Sequence, residues 1–167
     1  AKINRPLLVG EGSIDAQAWG YPAIFEEPTY ALQEINLYIR LLAICQPLSI
    51  LQWQLTADYS PLSGGGIFGH NELLRPTQRF WNLKQLASTP KDLKAMKLTV
   101  SGDDISGAAL GDNTKGIYSI HLVNNGAARK VTLSGLPLKI KSLQVWVTYI
   151  KRSMQQMPAI NAKNGIA

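Results

Sequence analysis

The chain has 167 residues, 46% apolar and 17% charged, a composition that predicts one or two globular domains and excludes a disordered segment. No apolar run approaches the roughly 20 residues of a membrane-spanning helix, and no charged region, apolar region and cleavage site open the sequence, which says nothing about secretion. The net charge of +6 comes from scattered lysines and arginines, with the nearest thing to a cluster at Lys139, Lys141, Lys151 and Arg152, so it predicts a solvated basic surface and no nucleic-acid partner.

The first element is the short apolar run Arg5-Pro-Leu-Leu-Val-Gly-Glu11, opened by a proline and closed by Gly10 and Gly12 around a carboxylate. A parallel strand covered on both faces looks like this, because it needs no polar alternation. Residues 13–28 form a long loop with Trp19, Tyr21 and Phe25, and long connections are commonly functional. Apolar residues then recur at helical spacing over residues 29–45 until Pro47 closes the pattern, which predicts a helix. Its single Cys45 allows no internal disulfide and reads as a small buried hydrophobe.

Ser49-Ile-Leu-Gln-Trp-Gln-Leu55 reads as a second strand. The loop after it carries Asp58, Tyr59, Gly64-Gly-Gly66 and His70. The glycine run lacks the lysine and spacing of a phosphate loop and is read as flexibility. A second helix is expected from Arg75-Pro76, with Phe80, Leu83, Leu86 and Ala87 on its apolar face and Ser88-Thr89-Pro90 as its end. Strand, loop, helix, strand, loop, helix is the grammar of an α/β fold.

The texture changes near Lys91. Short alternating runs follow at 97–100, 116–123, 130–133 and 142–150, the last with Leu143, Val145, Val147 and Tyr149 on one face. Asn124-Asn-Gly126 between two of them signals a hairpin, and residues 154–167 resemble a strand pair cut short. Residues 91–167 are therefore expected to form an antiparallel β-sandwich or part of one. Trp81 and Trp146 are assigned to core or interface. His70 and His121 are too isolated for a metal site, and Ser13, Ser60 and Ser63 lack a nucleophile-elbow context. No cofactor is expected.

A carboxylate at the C-terminal tip of a buried strand has chemical meaning, since catalytic groups of (β/α)₈ barrels project from that end. Glu11 is so placed, and Trp53 near the end of the next strand could stack against the apolar face of a sugar. The structural alternatives are a strand-end carboxylate that pairs with an arginine or caps an amide, and a core indole. Trp19, Tyr21, Asp58 and Tyr59 lie on the two loops that would rim such a site, with packing between the loops as the alternative.

Pro6-Leu-Leu-Val-Gly-Glu11-Gly, the helix, and Ile50-Leu-Gln-Trp53-Gln54-Leu resemble strands seven and eight of clan A glycoside hydrolases. Residues 75–87, Arg-Pro-Thr-Gln-Arg-Phe-Trp-Asn-Leu-Lys-Gln-Leu-Ala, resemble the eighth helix where it hands over to a β-sandwich. Within the clan the chain is most similar to glycoside hydrolase family 30, over residues 6 to 88. The resemblance implies a C-terminal piece of a retaining enzyme cleaving β-glycosidic bonds of a polysaccharide or oligosaccharide. Residues 1–90 would be the last two βα units of a TIM barrel and 91–167 the accessory sandwich. Glu11 falls on the family's nucleophile and Trp53 on the tryptophan lining the reacting sugar's site; Trp19, Tyr21, Gln54, Asp58 and Tyr59 are candidate substrate contacts by their places on the rim loops and beside Trp53, not by a residue-by-residue match. Family members usually carry Asn after that tryptophan, whereas here Gln54 stands. The acid/base would end strand four, before Ala1, so the missing N-terminal barrel segment is the partner this piece requires. A barrel needs about 250 residues, and two βα units alone should be inert. The family also implies a secreted or periplasmic enzyme. The alternatives are a non-catalytic carbohydrate-binding or scaffolding protein with a degenerate barrel and a purely structural sandwich module.

Overall fold

The computed structural model describes residues 5–17 and 20–167. It opens with the strand β1 (Leu8–Gly12), the helix α1 (Pro28–Ile44) and the strand β2 (Ser49–Gln52). β1 and β2 pair in parallel, Leu8 opposite Ser49 and Gly12 opposite Gln52. A 17-residue helix with Pro28 in its first turn supplies the crossover that parallel strands require. Both strands are shorter than the sequence predicts. β2 ends at Gln52, so Trp53, Gln54 and Leu55 lie in the loop beyond it.

The two-residue strands β3 (Leu62–Ser63) and β4 (Arg75–Pro76) pair antiparallel and close the base of the loop after β2. Arg75 and Pro76 therefore belong to a strand pair, and the helix α2 (Gln78–Ala87) starts two residues later than expected, after Thr77. The glycine run between β3 and β4 is shaped by contact. A Cβ on Gly64 would stand 2.6 Å from the Leu73 carbonyl oxygen, and all three glycines have positive φ. They are sites only glycine fits without strain, which replaces the reading of flexibility.

The second half contains β5 (Lys94–Met96), β6 (Ile105–Asp112), β7 (Ile117–Asn124), β8 (Ser142–Tyr149) and β9 (Arg152–Asn161). β5, β6 and β7 form an antiparallel sheet, and β8 and β9 form a separate antiparallel pair. The hairpin between β6 and β7 turns at residues 113–116, where the Asp112 carboxylate accepts the backbone N–H groups of Thr114 and Lys115. Asn124-Asn-Gly126, expected to be the hairpin turn, instead follows β7. There Asn124 donates to the carbonyls of Gly126 and Ala127. Residues 97–100 and 130–133, expected as strands, are irregular.

α1 has two working faces. Leu32, Ile35, Ile39 and Leu42 join Ala108 of β6, Val123 of β7 and Leu86 of α2 in one apolar cluster. Tyr30, Glu34 and Tyr38, four residues apart and thus stacked on one side of a helix, point to the parallel strands and to α2, and all three are buried. The helix is consequently wedged between the parallel pair and the antiparallel sheet. α2 buries Arg79 and Asn82 more deeply than the expected Phe80, Leu83, Leu86 and Ala87. The Asn82 amide donates to the Ala31 carbonyl at 3.0 Å, which locks the helices together. Gln85 holds β8 by donating to the Trp146 carbonyl and accepting from the Thr148 hydroxyl. Trp146 remains 41% exposed, so it is not a core residue, and Cys45 at the end of α1 is exposed rather than buried.

Among the described residues, none of the apolar clusters includes the side of the parallel pair that carries Leu8 and Leu51. Leu8, Leu51 and Trp53 are about half exposed, although parallel strands normally lie covered on both faces.

Candidate active site

Because β1 and β2 run in the same direction, the loops that leave them emerge at one end. The pairing keeps that end together: the Trp53 N–H donates to the Gly12 carbonyl at 2.8 Å. The register shifts between Val9 and Gly12, so β1 carries one extra residue opposite β2. A bulge of this kind re-aims side chains at the end of a strand, and here it contains Gly10 and Glu11. Gly12 faces α1, with Ile50 and Tyr38 against its Cα.

Glu11 is exposed. Among the described residues it forms no ion pair or hydrogen bond. It is therefore neither tied to an arginine nor capping an amide. Trp53 is 44% exposed, too open for a core aromatic, and the peptide that follows it is cis.

The other predicted residues divide between open surface and loop packing. The Gln54 amide donates to the Asp58 carboxylate at 2.9 Å, so these two act as a pair beside Trp53. Tyr59 joins the two loops: its hydroxyl donates to Asp15 at 2.6 Å and accepts the Ala16 N–H at 3.2 Å, and its ring lies 4.8 Å from that of Phe25. The hydrogen bond from Tyr59, then that from the Ala16 N–H, holds the Asp15 carboxyl below the usual carboxylate range. Tyr21 donates to Glu27 at 2.6 Å, and that bond together with the Glu27 charge pushes its hydroxyl up. Trp19 lies outside the described residues. The structure thus shows Tyr21 engaged within its own loop and Tyr59 engaged across the two.

Beneath this end of the strands lies a polar network that the sequence does not announce. Arg79 and Glu34 are fully buried and form a two-pronged ion pair with bonds of 2.9 and 2.8 Å. Arg79 also donates to the Ser60 carbonyl at 2.9 Å and stacks over the rings of Phe25 and Tyr30. Such a pair is tolerated in a dry interior only with its remaining donors and acceptors satisfied, and no buried side-chain polar atom among the described residues lacks a partner. Glu34 further accepts from Ser13, just past β1, and from Gln52 at the end of β2, both at 3.3 Å. The only sequence signal was the four-residue spacing of Tyr30, Glu34 and Tyr38.

A neighbouring cluster braces the second loop. Partial burial works to raise the Glu26 carboxyl, but hydrogen bonds from Ser63 and Arg75 and the Arg75 charge outweigh it and hold the group low. Beyond Trp53 the loop encloses an open concavity of about 360 Å³ lined by Leu55, Ala57, Gly65, Gly66, Ile67 and Leu74 among others. Glu11 and Trp53 do not line it; both are exposed. Among the described residues no group of three or more His, Cys, Asp or Glu side chains could hold a metal, and no helix is long and apolar enough to cross a membrane.

The sequence matches no protein-family profile, and no curated protein matches it. Among solved structures, it is similar to a GH30 endoxylanase from Clostridium papyrosolvens C71 with a TM-score of 0.73 and 14% sequence identity. The likeness covers 98% of this chain and 38% of that chain, so the chain spans well under half the length of the enzyme it matches. At this identity the similarity is one of fold: the chain shares the fold of the part of that enzyme it covers.

Proposed function

We propose that this chain is the C-terminal portion of a retaining glycoside hydrolase, with residues 1–90 as the last two βα units of its barrel and 91–167 as an accessory β-sandwich. One observation carries the reading. An uncommitted carboxylate, Glu11, and a half-exposed indole, Trp53, stand at the C-terminal end of adjacent parallel strands, where barrel enzymes place their chemistry. The fold likeness to a family 30 enzyme supports it, and so do the half-exposed Leu8 and Leu51 of the parallel pair, which six further strands of the same barrel would cover.

In this reading Glu11 attacks the anomeric carbon as the leaving oxygen takes a proton from a second carboxyl, and a glycosyl-enzyme ester forms. That second group then removes a proton from water, which attacks the same carbon and releases Glu11. Retaining enzymes hold the two carboxyl groups about 5–5.5 Å apart, and the acid/base belongs to the preceding part of the barrel. The Trp53 face bears on the sugar ring, and Gln54 and Asp58 offer hydrogen bonds to its hydroxyls.

The test uses the full-length protein on xylan, the polymer that the similar enzyme's name indicates. Glu11→Gln is expected to lower kcat at least about a thousandfold while binding persists, because loss of a nucleophile strikes the chemical step. Turnover equal to the parent's would remove Glu11 as nucleophile. A parent that binds xylan oligosaccharides without cleaving them would favour the carbohydrate-binding alternative.

A further inference from the structure

We infer that Gln52 is a positioning residue whose side-chain amide, clamped by Tyr38 and Glu34, sets the orientation of Trp53. The inference rests on the glycosidase reading, in which Trp53 walls the sugar site.

Both N–H groups and the oxygen of the Gln52 amide are engaged. Its oxygen accepts the Tyr38 hydroxyl at 2.5 Å, and its nitrogen donates to Glu34 at 3.3 Å and to the Trp53 carbonyl at 2.8 Å. The orientation of the amide is not arbitrary. A carboxylate and a carbonyl can only accept, so the NH₂ must face them and the oxygen must face Tyr38. Tyr38 is 2% exposed, and burial above all keeps its hydroxyl protonated far past neutrality, so it remains a donor. Glu34 is fixed in turn by the two bonds from buried Arg79.

The Trp53 backbone is thereby held from both sides. Its N–H is bound to Gly12 and its carbonyl to the Gln52 side chain. With both peptide groups pinned, the Cα–Cβ bond of Trp53 is held in one direction at the end of the strand next to the one that carries Glu11. A residue on the helix side of β2 thus controls one on the substrate side. Its path runs through α1 and α2, not through the substrate.

A double-mutant cycle in the full-length enzyme tests this. Gln52→Met keeps the volume and removes the amide. It is expected to lower kcat/KM on xylan about 10- to 100-fold, the scale of a small misplacement of a substrate-orienting group. In a Trp53→Ala background the same change should cost no more than about twofold, since its effect runs through the side chain already removed. Should Gln52→Met alone fail to fold, the pair Tyr38→Phe with Gln52→Met removes both buried partners together and leaves neither hydroxyl nor amide stranded. An equal loss in both backgrounds, or no loss in the parent background, overturns the inference. Equal turnover by the parent and Trp53→Ala overturns the role of Trp53 itself and the inference with it, whereas a defective Trp53→Ala beside an unimpaired Gln52→Met overturns the inference alone.

Discussion

Gly12 shows how narrowly the end of β1 is constrained. A Cβ there would stand 2.9 Å from Ile50 Cγ2 and 3.1 Å from the Tyr38 hydroxyl oxygen, whereas one on Gly10 would meet nothing within 4 Å. Gly12→Ala should therefore destabilise the protein by about 1–3 kcal/mol, the usual cost of overpacking, and disturb the Tyr38–Gln52 hydrogen bond beside it. Gly10→Ala, the control, should stay within about 0.5 kcal/mol of the parent. Denaturant titration of both variants decides, and equal stabilities would refute the argument. The sequence displays two glycines flanking a carboxylate with nothing to separate them. Only the approach of a helix tyrosine makes one of them indispensable. The strand-end positions of Glu11 and Trp53 were legible, because an apolar run, its end and the next run are local patterns. The engagement of Tyr21 and Tyr59 was not, since it depends on Glu27 within one loop and on Asp15 across two.

At the scale of elements, α1 is the pivot. Its period predicted a helix over 29–45 against an observed Pro28–Ile44, because helical spacing and a terminating proline are written in consecutive residues. That the Tyr30, Glu34 and Tyr38 stripe is buried could not be read from the period, which would place a glutamate toward water. The guanidinium 45 residues away explains it. Glu34→Gln leaves Arg79 as a buried charge without a counter-charge and should cost about 3–5 kcal/mol in the denaturant midpoint, the range for breaking one side of a buried pair. Glu34→Leu combined with Arg79→Met should recover part of that loss, because no unpaired charge remains. A loss below about 1 kcal/mol in the single variant would show that water reaches the pair. The strands of the second half were harder to read. β6 is Ile-Ser-Gly-Ala-Ala-Leu-Gly-Asp, whose glycines hide its alternation. They are small because Leu98, Val100 and Leu122 crowd Gly107, and Met96 and Tyr118 crowd Gly111. Residues 130–133 have strand-forming side chains but gain no ladder, apart from Leu133, which exchanges backbone hydrogen bonds with Ala167.

For the molecule as a whole, the two halves share a core instead of meeting at a linker. Besides the Ile39, Ala108 and Val123 cluster, a polar clasp joins them: the His121 ring on β7 shares a 2.8 Å hydrogen bond with Thr89, just past α2, and a 3.2 Å one with Ser119. Burial holds the His121 pKa below 6.5, so the folded state keeps the ring neutral where the unfolded chain would bind a proton. The unfolded state takes up more protons as the pH drops below about 6.5, and stability present above that value is lost progressively toward the folded pKa. Melting curves from pH 8 to pH 5 should show this acid-side loss, and His121→Gln, which cannot titrate, should flatten it. An unchanged slope would mean that other groups control the acid limb.

By itself the sequence determined the order of strand, loop and helix in the first half and the β-rich character of the second. It also put Glu11 at the end of one strand and Trp53 near the end of the next, because each of these is a property of a few neighbouring residues, although the second strand stops at Gln52, just short of Trp53. Only the tertiary structure decided that α1 lies between the parallel pair and the antiparallel sheet, and that Glu34 and Arg79 meet beneath the site. It alone showed that Gln52 reaches back to the Trp53 carbonyl while Glu11 stays unpaired. These are contacts between residues far apart along the chain. Their energies come from burial and from partners that no local pattern names.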